Sequence, residues 1–325
     1  MGQIDLSKYN VRTDLIIEDE KIVHNEEKID DMIITRTKKN GNYFTLSFVD
    51  ITNYEDREKV GGQLELLLKE ILKLNNIQDD DTCLVVGLGN RRSTPDSLGV
   101  KVLDKTLVTS HLFTLGEVSK GMRRVSLFSP GVMANTGMES AKIINSLVRE
   151  IKPDFVIAID ALAAREVERI NKTIQITDTG IHPGSGIGNN RVEISKKTLG
   201  IPVVAIGVPT VVISSTIVYD TINYLYKHIA YIKEYEGINK LSYQKTNYKN
   251  KIKDNNLSNY EKENLLGLFG TLNDEERLAL IDEVLNNTNL NLIVTPTEID
   301  FVIDKMANLI AGSINNALHR QITHY

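Results

Sequence analysis

The chain has a single cysteine, Cys83, in 325 residues. No internal disulfide can form, and a zinc site built on several thiolates is excluded. Cys83 lies inside an apolar run, which suits a buried, inert thiol better than a nucleophile. No stretch approaches the roughly 18 consecutive apolar residues that a membrane span needs. The start, MGQIDLSKYN, lacks the apolar core of a secretory signal. Basic blocks are missing as well: a net charge of −5 without a Lys/Arg cluster argues against direct nucleic-acid binding. These absences together point to a reducing, cytoplasmic setting. The composition that remains, 41% apolar and 25% charged, is that of a globular protein long enough to bury a substantial core.

The first thirty residues are polar and acidic and read as an arm rather than core. DMIITRT (31–37) and NYFTLSFVDI (42–51) flank an Asn40-Gly41 turn, the pattern of a β-hairpin. VGGQLELLLKEILKLNN (60–76) carries a leucine and isoleucine stripe at helical spacing. Four apolar runs follow, separated by helical patterns: CLVVGLG (83–89), RVSLFSPG (124–131), DFVIAID (154–160) and IPVVAIGVP (201–209). Runs apolar on both faces are the mark of a buried parallel sheet. Capping boxes are expected at Thr136-x-x-Glu139 and Asn273-x-x-Glu276, and Thr295-Pro-x-Glu298 reads as a third helix start. Residues 237–264, rich in Lys and Asn, read as a polar insertion. The fold class expected is α/β: a mostly parallel central sheet with flanking helices, an added β-hairpin and a helical C-terminal region.

Three stretches can carry chemistry. In CLVVGLGNRRSTPDSLG (83–99), Gly87 and Gly89 open a turn, but Arg92 stands where a dinucleotide site needs its third glycine, and no Gly-Lys-Ser/Thr follows. No nucleotide cofactor is therefore expected, and the turn leaves Asp96 either as a helix cap or as a presented carboxylate. In FVIAIDALAAREVERI (155–170) an apolar strand ends in Asp160, which faces the ligand crevice of an open sheet unless it caps a helix or pairs with Arg165. Two aspartates converging from parallel strands can hold a water between them. In ITDTGIHPGSGIGNNR (176–191), Gly180, Gly184, Gly186 and Gly188 make a loop whose N–H groups suit an anion or an extended peptide. His182 alone has no metal-ligand spacing. Pro209-Thr210 would shape the same rim.

These blocks, with SPGVM (129–133) and VTPTEIDFVIDKMANLIAG (294–312), resemble the germination protease family of spore-forming bacteria from residue 5 to residue 319. The resemblance implies a fold like that of hydrogenase-maturation peptidases and an atypical aspartic-type endopeptidase that degrades small, acid-soluble spore proteins in the spore core. It implies a homotetramer made as a zymogen, with a pro-segment over 1–14, a single peptidase domain over 15–325, and self-cleavage between Asp14 and Leu15. Asp96 and Asp160 match the family's catalytic carboxylates. Gly184, Gly186, Gly188, His182 and Arg165 are candidates for holding substrate or its oxyanion. No metal is implied. Arg91 and Arg92 stand at loop positions less charged in the family, and Ile213 replaces an expected carboxylate. Two other readings stay open: a metal-dependent peptidase using Asp96, Asp160 and His182, and a ligand-binding module in which both aspartates are caps.

Overall fold

The structure is a computed structural model that describes residues 24–116, 118–184, 192–234, 252 and 255–320. The expectations for Asp14, Leu15, Gly186 and Gly188, and most of those for the polar insertion, lie outside the described residues. The described chain divides into two compact units, one within Val11–Val211 and Thr295–Tyr325, the other within Val212–Val294. The sequence suggested one domain over 15–325.

The larger unit is built on a sheet in the strand order β1-β2-β3-β7-β8-β6-β4-β5. Its strands are β1 His24–Ile29, β2 Met32–Lys38, β3 Asn42–Ser47, β4 Cys83–Gly87, β5 Val125–Phe128, β6 Phe155–Ala164, β7 Thr173–Thr177 and β8 Val203–Ile213, whose last two residues belong to the other unit. β4 pairs in parallel with β5 and β6, as buried apolar runs should. On the other side β1, β2, β3, β7 and β8 pair antiparallel in succession. The sheet is thus mixed, and the parallel arrangement expected for the four apolar runs holds around β4. The hairpin of β2 and β3 forms as its Asn-Gly turn dictates. A further strand, β1, pairs with β2 in the segment read as a featureless arm.

Alternation along the strands divides the side chains between two faces. One face gives Ile34, Leu46, Ile176, Ile206, Ile157 and Val85 to a core closed by α1 (Tyr54–Leu74), α2 (Leu98–Leu103) and the helix Ile299–Leu318. The opposite face gives Leu84, Val86, Val156, Ala158 and Ala205 to a smaller core under the helix Ser140–Ile151. In the second unit the helix Asp274–Asn287 begins with the capping box expected at Asn273 and Glu276. β9 (Ile293–Val294) pairs with the end of β8. The other two helix starts differ from expectation. Thr136 closes a short turn, and the long helix begins four residues later with Glu139 at its cap position. Thr295 donates its hydroxyl to Thr210 O (2.9 Å) instead of capping, and that helix begins at Ile299.

At the opposite edge from the ligand crevice, Arg123 and His319 are buried together. The Arg123 N–H donates to His319 Nδ1 (3.1 Å), and the Arg123 guanidinium donates to Asp81 O (2.7 Å). Burial, with the Arg123 charge beside it, holds the His319 imidazole below its usual value of 6.5. The unfolded chain therefore binds more protons than the folded one below that pH. Stability should be kept above pH 6.5 and lost as pH falls from 6.5 through the lower folded value. Urea unfolding from pH 8 to 5 should show this slope, and His319→Gln should flatten it.

Gly99 of α2 packs so closely that an added Cβ would lie 2.5 Å from both Ile159 O and Leu88 O. Gly62 of α1 has open space around it. Gly99→Ala should therefore cost about 3 kcal/mol by overpacking against backbone. Gly62→Ala should gain up to about 1 kcal/mol from helix propensity. Equal unfolding midpoints for the two variants would refute the packing argument.

Candidate functional site

The site begins where β4 leaves the sheet. Gly87 is paired with Ile159 of β6, and the next residue, Leu88, donates its N–H to Ile159 O (2.8 Å), which puts Leu88 level with Asp160. The chain then turns at Gly89, whose φ of 101° is a conformation that glycine adopts without strain. Residues 90–97 fold into a closed loop. The Ser93 N–H donates to Asn90 O (3.0 Å), the Asp96 N–H to Ser93 O (2.9 Å), and the Asn90 N–H to Asp96 O (2.9 Å). Pro95 sits in the single 3-10 turn Thr94–Asp96, where its fixed φ suits the geometry. Buried Thr210 of β8 donates its hydroxyl to Pro95 O (2.8 Å) and ties the turn to the sheet.

This loop folds Asp96 back onto the strand end. An ideal Cβ on Gly89 would lie 2.0 Å from Asp96 O and 3.0 Å from a carboxylate oxygen of Asp96. The half-buried Asp96 carboxylate therefore stands over the residue that follows Leu88, and Leu88 is level with Asp160. The turn that carries Asp96 therefore follows the strand next to the one that carries Asp160. Ser97, not Asp96, holds the cap position of α2, so the capping alternative for Asp96 does not describe this turn.

Asp160 is only 5% exposed and sits within β6, which runs on to Ala164. The strand does not end at Asp160 as the sequence suggested, because ALAA continues the apolar pattern. Asp160 shares the face of Val156 and Ala158, and one of its oxygens accepts the Ala161 N–H (2.9 Å). Arg165 follows the end of β6, about 16 Å of extended chain beyond Asp160.

The glycine-rich stretch is described only in part. Ile181 bridges to Ile194 and anchors the loop in the smaller core. Exposed His182 lies 3.6 Å from a Glu193 oxygen, and Gly184 has a φ of 70°. Asp178, ahead of this loop, is structural: it accepts from the Asn42 N–H (2.7 Å), Asn42 Nδ2 (2.6 Å) and Asn75 Nδ2 (3.1 Å). Arg91 is occupied by two bonds to Asp104 (2.7 and 2.8 Å), which hold the Asp104 carboxyl below its usual range. Burial pushes the Cys83 thiol up, as an inert core cysteine requires. Among the described residues no group of three His, Cys, Asp or Glu stands where it could hold a metal ion, and no helix is long and apolar enough to cross a membrane.

Sequence reasoning missed Gly99. It lies in the helical segment after Asp96, and glycine inside a helix is costly unless close packing demands it. That cost was the available signal.

The family model described as germination protease matches residues 8–325. The germination protease of Priestia megaterium is 44% identical over 358 aligned residues, covering 98% of this chain and 96% of that protein. The germination protease of Bacillus pumilus is 45% identical, covering 99% and 96%. Among solved structures, a [NiFe] hydrogenase maturation protease, HycI from Thermococcus kodakarensis, aligns with 44% of this chain and 80% of its own length, at 20% identity and a TM-score of 0.28.

The Thr210 hydroxyl ties the Asp96 turn directly to the sheet. Thr210→Val, nearly isosteric, should cost about 1–2 kcal/mol in urea unfolding and speed amide exchange at Asn90 and Asp96. Unchanged exchange there would show that the loop's own bonds suffice to hold Asp96.

Proposed function

The chain belongs to the germination protease family and is a protease of spore germination; from that premise we propose that Asp96 and Asp160 hydrolyse peptide bonds with a water held between them. What supports the reading is one arrangement: a carboxylate buried in β6, with a second folded over the neighbouring strand end by a bonded turn. Two carboxylates sharing a water do not both stay ionised, so one acts as base toward the water. The protonated partner donates to the carbonyl oxygen or the leaving amine. The pair titrates as a unit, and the roles belong to the pair. This makes the enzyme an atypical aspartic-type endopeptidase.

The substrates we propose are small, acid-soluble spore proteins in the spore core, cut by a homotetramer that first removes its own pro-segment between Asp14 and Leu15. The sequence at that site, acid before the scissile bond, leucine after it and Glu18 three positions on, is the specificity code a substrate would share. Arg92 and Arg165 remain for acidic side chains, because Arg91 is committed to Asp104. Gly184 with its neighbours Gly186 and Gly188, beside His182, would supply N–H groups to the substrate backbone or the oxyanion. A metal-dependent reaction would need a donor set that the described residues do not assemble.

Asp160→Asn keeps the shape and removes one carboxylate. The variant should stay full length on incubation and lose spore-protein cleavage by about 10²- to 10⁴-fold, with melting close to that of the unaltered chain. Retained cleavage, or self-cutting between residues 14 and 15, would overturn the assignment.

A further inference from the structure

Gln175 stands near the middle of β7 with no exposed surface, and neither its side-chain nitrogen nor its side-chain oxygen has a hydrogen-bond partner. Buried amides without partners are rare, because each forgoes the bonds it would make in water. The threonines on either side of it on the same face are satisfied locally. Thr177 bonds to Thr179 (2.9 Å), and Thr173 donates to Arg169 O (3.3 Å). Gln175 alone is left open.

Its position gives the reason. Gln175 is paired with Gly207 of β8. The Val156 N–H of β6 donates to Pro202 O (3.0 Å), and Thr210 at the far end of β8 reaches the turn beyond β4, so β8 runs alongside β6 in the same direction. In a parallel ladder an N–H bonded to the carbonyl of residue j−1 is level with residue j. The chain itself illustrates this: the Cys83 N–H bonds to Arg124 O, and Cys83 is paired with Val125. Val156 is thus level with Val203, and four residues on, Asp160 is level with Gly207. Asp160, Gly207 and Gln175 form one rank across three strands, with the side chains of Asp160 and Gln175 on the same face.

Gly207 has no side chain, so in this rank no side chain stands between the carboxylate and the amide, whose strands lie about 10 Å apart. Glycine inside a strand marks a place where another backbone approaches closely. A glutamine side chain offers one acceptor and two donors, the complement of a single peptide unit. We propose that Gln175 is a substrate-binding residue: its side-chain amide takes the main-chain N–H and C=O of an extended peptide crossing over Gly207, and so sets which bond lies at Asp160. The inference rests on the protease reading above, deepens it, and assigns main-chain recognition to a residue outside the carboxylate pair.

The test uses the full chain and a synthetic peptide copying residues 9–20, YNVRTDLIIEDE. Gln175→Met keeps the volume and removes both polar atoms. Because no described residue bonds to them, the variant should melt no lower than the unaltered chain, while kcat/KM on the peptide falls on the order of tenfold, mainly through KM. Unchanged KM would overturn the proposal, as would a variant that melts well below the unaltered chain or fails to fold, since Gln175 would then be a structural group. Asp160→Asn, run in parallel, separates the two ideas. Cutting that persists there overturns the carboxylate assignment, whereas a normal KM in Gln175→Met overturns only the role of Gln175.

Discussion

The arrangement of the site depends on one close approach of backbone to backbone. Gly87 and Gly89 frame the end of β4, and Gly99 lies in the helix that folds back over it. A Cβ on Gly87 would fall 2.2 Å from Gly99 O, and one on Gly99 would meet the carbonyls of both Leu88 and Ile159. With side chains at these positions, α2 could not lie on the strand ends and the intervening turn would be lifted off the sheet. The glycines that first suggest a phosphate-binding turn serve instead to let a helix and two strands touch. That contact holds the turn of Asp96 against the end of β4.

A second constraint comes from the two faces of the sheet. One is mostly apolar and packs against three helices. The other is apolar only across β4, β6 and the start of β8, where the helix Ser140–Ile151 covers it. On β7 the same face carries Thr173, Gln175 and Thr177, and Thr45 of β3 is paired with Gln175. Asp160 stands where the apolar part gives way to the polar part. A carboxylate there has a dry wall on one side and hydrogen-bonding groups on the other, which suits a reaction that must order both a water and a peptide.

Much of this was legible in the residues. Both-face apolar runs marked β4, β5, β6 and β8, Asn40-Gly41 marked the hairpin, and Asn273 with Glu276 marked a helix start, because each rests on local chemistry that tertiary contacts do not overrule. Asp96 and Asp160 stood out as lone carboxylates beside apolar runs, one in the turn after β4 and the other within the neighbouring strand β6. Other features were hidden for physical reasons. β7 is short and half polar, since its second face carries threonines and a glutamine, so it merged with the glycine-rich stretch that follows. Asp160 looked terminal because a charge usually ends a strand, yet ALAA continues it. Thr295 reads as a cap by spacing, but its hydroxyl finds Thr210 O instead, a partner 85 residues away. The match of Asp160, Gly207 and Gln175 is a matter of register between three strands, which no local pattern encodes.

The two carboxylates are held by different means, and that difference governs how the site can be disturbed. Asp160 is part of a ladder strand, so its backbone moves only with the sheet. Asp96 sits on an eight-residue loop that would wander if its own bonds were all that fixed it. The hydroxyl of Thr210 and the packing of Gly99 make the loop an extension of the sheet. A pair that shares a water tolerates errors of only about 0.5 Å, so the ties matter to chemistry as much as to stability. Thr210 is in turn reached by Thr295, at the start of the segment that returns the chain to the core as the helix Ile299–Leu318. The C-terminal segment thus braces the strand that braces the turn, and the position of Asp96 depends on a residue almost 200 positions away in the chain.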